Sequence, residues 1–180
     1  MNKQFLAATL LAAASAATSA ADMIGDTLTF TRAYPSVNSE WAGWNPSHMI
    51  TTVTADATDQ LIWATSGDIL NRIDPGAASI QWSFLRLATD VDASSVFDGF
   101  TITGFSQDIV SANIVSNNSS AAIQLAVAPR QLSLGFYASV QAGTSLLLSV
   151  SVVSEPATWV LLLAGLGLSA WRHKRSAPNA

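Results

Sequence analysis

Apolar and polar side chains alternate with a period of two along much of the chain between positions 22 and 153. Such alternation puts apolar side chains on one face of a β-strand and polar ones, here mostly hydroxyls, on the other. The pattern therefore predicts antiparallel strands with one buried and one hydrated face. The apolar positions of the clearest stretches are 28 and 30; 80, 82 and 84; 100 and 102; 123, 125 and 127; 132, 134 and 136; and 146, 148, 150 and 152. Weaker strands are predicted at 48–54, 61–65 and 109–115.

Turn-forming residues separate these stretches at short intervals. They are Gly67-Asp68, Asp74-Pro75-Gly76, Asp98-Gly99, Asn117-Asn118, Pro129 and Gly143. About eight to ten short strands at such a spacing are typical of an all-β domain. We therefore predict that residues 22–153 form an antiparallel two-sheet sandwich, with a barrel as the alternative.

An uncharged apolar run occupies residues 157–171. As a helix it would be about 22 Å long, which is shorter than the bilayer core of about 30 Å, and local thinning of the bilayer can meet the difference. Trp159 and Trp171 stand at its ends, where indole rings favour the membrane interfaces. A buried core helix is the alternative, but the run has no polar face for water. The sequence therefore predicts a transmembrane helix.

Three cations, Arg172, Lys174 and Arg175, follow this run at once. Positive charge next to a span favours the cytoplasmic side of the membrane. We therefore interpret the three residues as a membrane stop, with residues 176–180 as a short cytoplasmic tail.

The segment just before the run resembles a known sorting signal. Glu155-Pro156-Ala157-Thr158-Trp159 leads into the Leu- and Gly-rich span and the basic cluster. This order is similar to the PEP-CTERM protein-sorting domain, in which a Pro-Glu-Pro signature precedes a short span. Ser154 stands where that family usually has its first proline. The resemblance covers residues 154–175 and implies processing by a membrane peptidase-transferase called exosortase, with Ser154, Glu155 and Pro156 as the sorting motif.

The N-terminus is consistent with export. Lys3 precedes an uncharged run rich in Ala and Leu, and small residues come before Asp22. This is typical of a cleavable signal peptide over residues 1–21, although an uncleaved N-terminal helix has a similar pattern. Together the two ends predict an exported domain, anchored to the inner membrane by a single-pass helix.

Charge and composition narrow the function of the exported region. Between Asp22 and Ser154 there are eleven acidic residues against four arginines, a formal charge of −7. Because phosphate binding needs a basic patch, nucleic acid is not an expected partner. The chain has no cysteine, so its stability must come from burial of a core rather than from disulfides.

The exported region shows no catalytic or cofactor-binding motif, and neither an enzyme activity nor a cofactor is expected. His48 is its one histidine, and we interpret it as a polar residue at a strand end rather than as a zinc ligand or a catalytic base. Asp90, Asp92 and Asp98 are interpreted as a solvated acidic loop, with calcium binding or a glycosidase carboxylate pair as alternatives.

Trp41 and Trp44 lie in a predicted loop. Exposed aromatic rings bind sugars or partner proteins, but the two rings can also close the open end of the core, which is the interpretation we prefer. The leading hypothesis is a non-enzymatic envelope or extracellular protein that is sorted by an exosortase. The resemblance implies an association with exopolysaccharide or a biofilm matrix. The alternatives are a carbohydrate-binding module that uses Trp41 and Trp44, an exported hydrolase, and a single-pass protein without processing.

Overall fold

The computed structural model describes residues 22–43, 45–56, 61–65, 68–86 and 96–153. In these ranges the chain forms ten β-strands and no helix. In chain order the strands are β1 (Thr27–Ala33), β2 (His48–Thr52), β3 (Leu61–Thr65), β4 (Asp68–Pro75), β5 (Ser79–Phe84), β6 (Gly99–Thr103), β7 (Ile109–Asn117), β8 (Ile123–Ala128), β9 (Gln131–Phe136) and β10 (Thr144–Val152). The predicted signal peptide, sorting motif, membrane span and basic stop lie outside the described residues.

The ten strands form two sheets of five strands each. Sheet A has the order β2-β1-β6-β9-β8, and sheet B has the order β3-β4-β5-β10-β7. All neighbouring strands are antiparallel. The prediction of an all-β fold with two antiparallel sheets is confirmed. Within the described ranges no strand belongs to both sheets.

Aromatic side chains from the two sheets meet in the core. Trp82 of sheet B lies with its ring centroid 5.9 Å from that of Phe30 and 4.7 Å from that of Phe100, both in sheet A. Phe84 and Phe136 make a further contact between the sheets at 5.8 Å in an edge-to-face arrangement. The sheets therefore pack face to face, as in a β-sandwich, and the burial of these large rings is a main source of stability in a chain without disulfides.

Strand β4 was missed by the sequence pattern. Its inward position 71 carries Asn71, which is buried, while Arg72 is exposed and Ile73 is buried again. A polar residue at an inward position hides the alternation of apolar side chains on which the prediction depends. The predicted turn at Asp74-Pro75-Gly76 is correspondingly displaced, because Asp74 and Pro75 still pair with β5.

The edge strands of sheet B are irregular. On β7 the register with β10 shifts twice, and the two residues left without a partner, Val110 and Val115, are exposed. In the pairing of β3 with β4 the register shifts between Trp63 and Ala64, and the residue without a partner is Leu70 of β4. Because a β-bulge twists an edge away from incoming strands, the bulges on β7 limit edge-to-edge association of a strand that carries no charged residue.

Two glycines with positive φ differ in their surroundings and allow a matched prediction. Gly25 (φ 90°) has open space where a Cβ would lie, whereas a Cβ on Gly104 (φ 96°) would collide with the carbonyl oxygen of Thr27. We expect Gly25→Ala to cost about 1 kcal/mol of unfolding free energy through backbone strain alone. Gly104→Ala should cost roughly 2–3 kcal/mol, because steric overlap adds to the strain. Urea denaturation of both variants measures the difference, and equal costs would contradict the collision.

Candidate functional site

The outer face of sheet A carries small, mostly hydroxyl-bearing side chains on its central strands. The register aligns one row as Thr31, Thr101 and Ser133 and a second row as Thr29, Thr103 and Gln131. Thr101 and Ser133 are buried although they point away from the core. No Asp, Glu, Lys or Arg stands in either row, so this surface offers hydrogen bonds without charge.

A pair of glycines interrupts this surface at the start of β6 and near the end of β9. Gly99 faces Gly135 across the two strands. A Cβ on Gly99 would collide with the carbonyl oxygen of Leu134, and a Cβ on Gly135 would lie 3.4 Å from the ring of Phe97. The Phe97 ring thus lies over Gly135 on the outer face of the sheet. Phe97 consequently becomes a buried apolar floor on the outside of the sandwich.

A groove of about 390 Å³ lies next to Phe97 on this face. Tyr137 lies at the side of this groove and is 42% exposed. Its hydroxyl donates a hydrogen bond to Gln124 Oε1. The groove is lined by Ser36, Val37, Asn38, Val96, Phe97, Gln124, Ala126, Ser133 and Tyr137. None of these residues is Asp, Glu, Lys, Arg or His. The groove thus combines apolar surface, one exposed ring and several amide and hydroxyl groups, and we call it the neutral groove.

A buried ion pair closes the end of the core near the neutral groove. Arg32 follows Leu28 and Phe30 on the inward side of β1, and its guanidinium contacts the carboxylate of Asp98. The same guanidinium donates to the carbonyl oxygens of Gly99 at 2.8 Å and Ala33 at 3.1 Å. The two side chains are only 6% and 3% exposed. These contacts supply the partners that a buried charge requires.

Trp41 covers this ion pair. The Arg32 guanidinium lies 5.1 Å from the centre of the Trp41 ring and 5.3 Å from that of Phe100, within cation–π distance. Trp41 is half-buried, and its ring centroid is 6.0 Å from that of Tyr34. Trp41 therefore lies over the buried ion pair, and its contact with a glycan stays a prediction. Trp44 lies outside the described residues.

Glu40 forms a surface cluster with Ser47 and His48. His48 Nδ1 lies 2.7 Å from Glu40 Oε1, and the Ser47 hydroxyl donates to the same oxygen. His48 is the exposed first residue of β2, as predicted for a polar residue at a strand end. The hydroxyl of Ser47 and the imidazole of His48 therefore share one carboxylate oxygen of Glu40.

Acidification is expected to break this cluster. The hydrogen bonds from His48 and, secondly, from Ser47 lower the pKa of Glu40 from its ordinary value. Because the unfolded pKa is about 4.3, the cluster's contribution to stability is complete above that pH and is lost as the pH falls through the lower folded value. NMR titration of the Glu40 Cδ resonance should give a midpoint below 4.3, and His48→Ala should raise it. A midpoint that His48→Ala leaves unmoved would contradict this.

Asp98 corrects one interpretation of the sequence. It was expected in a solvated acidic loop with Asp90 and Asp92, or in a turn with Gly99, but it is 4% exposed and paired with Arg32. The solvated interpretation of Asp98 is therefore wrong. Asp90 and Asp92 lie outside the described residues, as do the sorting-motif residues Ser154, Glu155 and Pro156 and the membrane-stop residues Arg172, Lys174 and Arg175. Across the described ranges, no three His, Asp or Glu side chains are grouped closely enough to hold a metal ion.

The sequence reasoning missed the neutral groove. Phe136 is an inward position of β9, so the next residue, Tyr137, is expected on the outer face. This alternation could have identified Tyr137 from the sequence. The contributions of Val37, Val96 and Gln124 had no such signal, because three separate segments converge there only in the folded chain.

No protein-family model, no curated protein and no solved structure matches this chain. Within the described ranges, the structure contains no helix of the length and hydropathy needed to cross a bilayer.

Proposed function

We propose that the chain is a non-enzymatic envelope or extracellular protein, exported by its N-terminal signal and anchored in the inner membrane by its C-terminal span. The order Glu155-Pro156, apolar run 157–171 and basic stop carries this proposal. In this proposal an exosortase-like membrane enzyme recognises the Ser154-Glu155-Pro156 motif and releases or transfers the domain. A permanent single-pass anchor without processing is the alternative.

The described domain supports an extracellular role through the chemistry of its surface. The central rows on the outer face of sheet A are threonines, a serine and a glutamine. Such groups form hydrogen bonds without carrying a titratable charge. The absence of cysteine makes the domain independent of the redox state of its compartment. A place in a polysaccharide-containing matrix follows from the resemblance of the C-terminal segment and is part of the proposal.

Mass spectrometry of the mature chain tests the proposal. The protein is isolated from its own host, with its exosortase gene intact or deleted, and both termini are determined. We expect a new N-terminus near Asp22 in both strains and a C-terminus that has lost residues 157–180 only when exosortase is present. Retention of Ala180 at the membrane in both strains would favour the permanent anchor. A cytosolic chain that keeps both Met1 and Ala180 would overturn export itself.

Point variants sharpen the same experiment. Pro156→Ala should reduce the processed fraction several-fold, because the signature proline is lost, whereas Ser154→Pro should increase it by completing the family signature. Pro129→Ala, which alters a proline at the β8–β9 connection, is the matched control and should leave processing unchanged. Equal processing of Pro156→Ala and the native chain would argue against recognition of this motif.

A further inference from the structure

We propose that the neutral groove is a binding site for a neutral saccharide. Trp41 is not among the residues that line this groove, which is formed by the outer face of sheet A together with the segments around Val37 and Phe97. This saccharide site extends the matrix role proposed above. It depends on that role because the matrix decides which polymers the exported domain would meet. All the residues that line the groove lie within residues 22–153.

The ring of Tyr137 provides the apolar contact that a sugar requires. A pyranose has C–H groups on its faces that pack against aromatic rings, and a ring with one apolar and one polar end suits such a half-exposed site. Tyr137 is 42% exposed, and the hydrogen bond from its hydroxyl to Gln124 Oε1 holds the ring in place. A ring that is already oriented loses little conformational freedom on binding.

Polar groups around the ring match sugar hydroxyls. With Oε1 of Gln124 engaged by Tyr137, the Nε2 group of the same amide remains a donor of two hydrogen bonds. Asn38 adds a second exposed amide, and Ser36 adds a hydroxyl that lies 2.8 Å from the Ser39 hydroxyl. An apolar floor with a few fixed polar groups is the usual composition of a small-molecule site, and about 390 Å³ falls within the usual size range.

The electrostatics select an uncharged ligand. Among the described residues that line the groove, none is acidic or basic, so they offer no counter-charge to a uronic acid or an amino sugar. The exported region also carries a formal charge of −7, which repels anionic polymers. A neutral hexose or pentose polymer is therefore the ligand class that fits.

Affinity electrophoresis of the full chain, purified from its host with both termini defined by mass spectrometry, tests the proposal. The gels contain dextran, xyloglucan, galactomannan or mixed-linkage β-glucan, with alginate as the anionic comparison. We expect at least one neutral polymer to retard the native chain and alginate not to. Tyr137→Ala should weaken that binding roughly tenfold. Tyr137→Phe, which keeps the ring, should weaken it less.

Two further variants separate binding from folding. Ala126→Leu adds bulk to the groove from the exposed strand β8 and leaves Tyr137 in place. It should weaken binding by a similar factor while its thermal unfolding stays close to that of the native chain. Gln124→Ala should weaken binding several-fold, whereas Gln81→Ala, an exposed amide on sheet B, should have no effect.

Several results would overturn the saccharide site. They are retardation by none of the neutral polymers, stronger retardation by alginate, or equal binding by the native chain, Tyr137→Ala and Ala126→Leu. The termini are determined on the same preparations. A processed chain that binds no neutral polymer therefore contradicts the saccharide site but not the sorting proposal. An unprocessed chain that binds contradicts only the sorting proposal.

Discussion

Replacing Arg32 with Ala is expected to lower the free energy of unfolding by about 3–5 kcal/mol. The variant would leave the Asp98 carboxylate, 3% exposed, without its guanidinium partner inside the sandwich. It would also remove two hydrogen bonds to backbone carbonyls and the packing of the guanidinium against Trp41 and Phe100. A buried charge that has lost its counter-ion is costly because protein surroundings replace its hydration poorly.

The chain contains a matched control for this result. Arg130 also pairs with an aspartate, Asp108, at 3.0 Å, but the two side chains are 63% and 57% exposed. Arg130→Ala should therefore cost less than about 1 kcal/mol, because water already solvates both groups. Urea denaturation of the two variants under the same conditions compares buried with exposed pairing. Equal costs would show that the Arg32 pair contributes no more than a surface contact.

The double variant Arg32→Met with Asp98→Leu tests the physical reason. If the cost of Arg32→Ala comes from the loss of the counter-ion of Asp98, replacing both charged residues by apolar side chains of similar size should recover most of the lost stability. If the double variant is as unstable as Arg32→Ala, the loss comes instead from the hydrogen bonds and packing at this end of the core.

Truncation of Trp82 to Ala should cost a similar amount, about 3–5 kcal/mol. Trp82 is fully buried and contacts Phe30, Phe84 and Phe100, so its removal leaves a cavity at the centre of the contact between the sheets. Thermal and urea unfolding, followed by near-ultraviolet circular dichroism, measure the loss. A cost below about 1.5 kcal/mol would mean that the core collapses to fill the space.

A milder pair of substitutions separates ring volume from hydrogen bonding. Trp63 Nε1 donates to the carbonyl oxygen of Pro46 at 2.9 Å, whereas the buried Nε1 of Trp82 has no acceptor among the described residues. Both rings are fully buried. Trp63→Phe should therefore cost about 1 kcal/mol more than Trp82→Phe, because only Trp63→Phe breaks a hydrogen bond. The reverse order would indicate that packing alone decides the cost.

Most of the strands could be predicted from the sequence because alternation is a local property. β5, with Ile80, Trp82 and Phe84 inward, is clear from six residues of sequence. β4 could not be predicted in this way because Asn71 occupies an inward position. Whether a polar side chain is tolerated at that position depends on its neighbours in the folded protein, and these cannot be read from the sequence of the strand.

The candidate site was far less predictable than the fold. Asp98 beside Gly99 has the composition of a turn, yet Gly99 begins β6 and Asp98 turns inward toward Arg32. The arginine and the aspartate lie far apart in the sequence, and only the pairing of β1 with β6 places them together. A pattern of neighbouring residues along the sequence cannot predict such a pairing.

By itself the sequence determined which residues form most of the strands, how the apolar faces alternate, and that the chain's two ends differ in character from the middle. These features depend on side chains a few positions apart, whose relation the backbone geometry sets directly. The tertiary structure alone decided that a buried ion pair closes the core beneath Trp41 and that Tyr137, Gln124 and Phe97 share one uncharged groove. Those arrangements depend on which strands become neighbours, and this is settled by how the two sheets bury their aromatic side chains together.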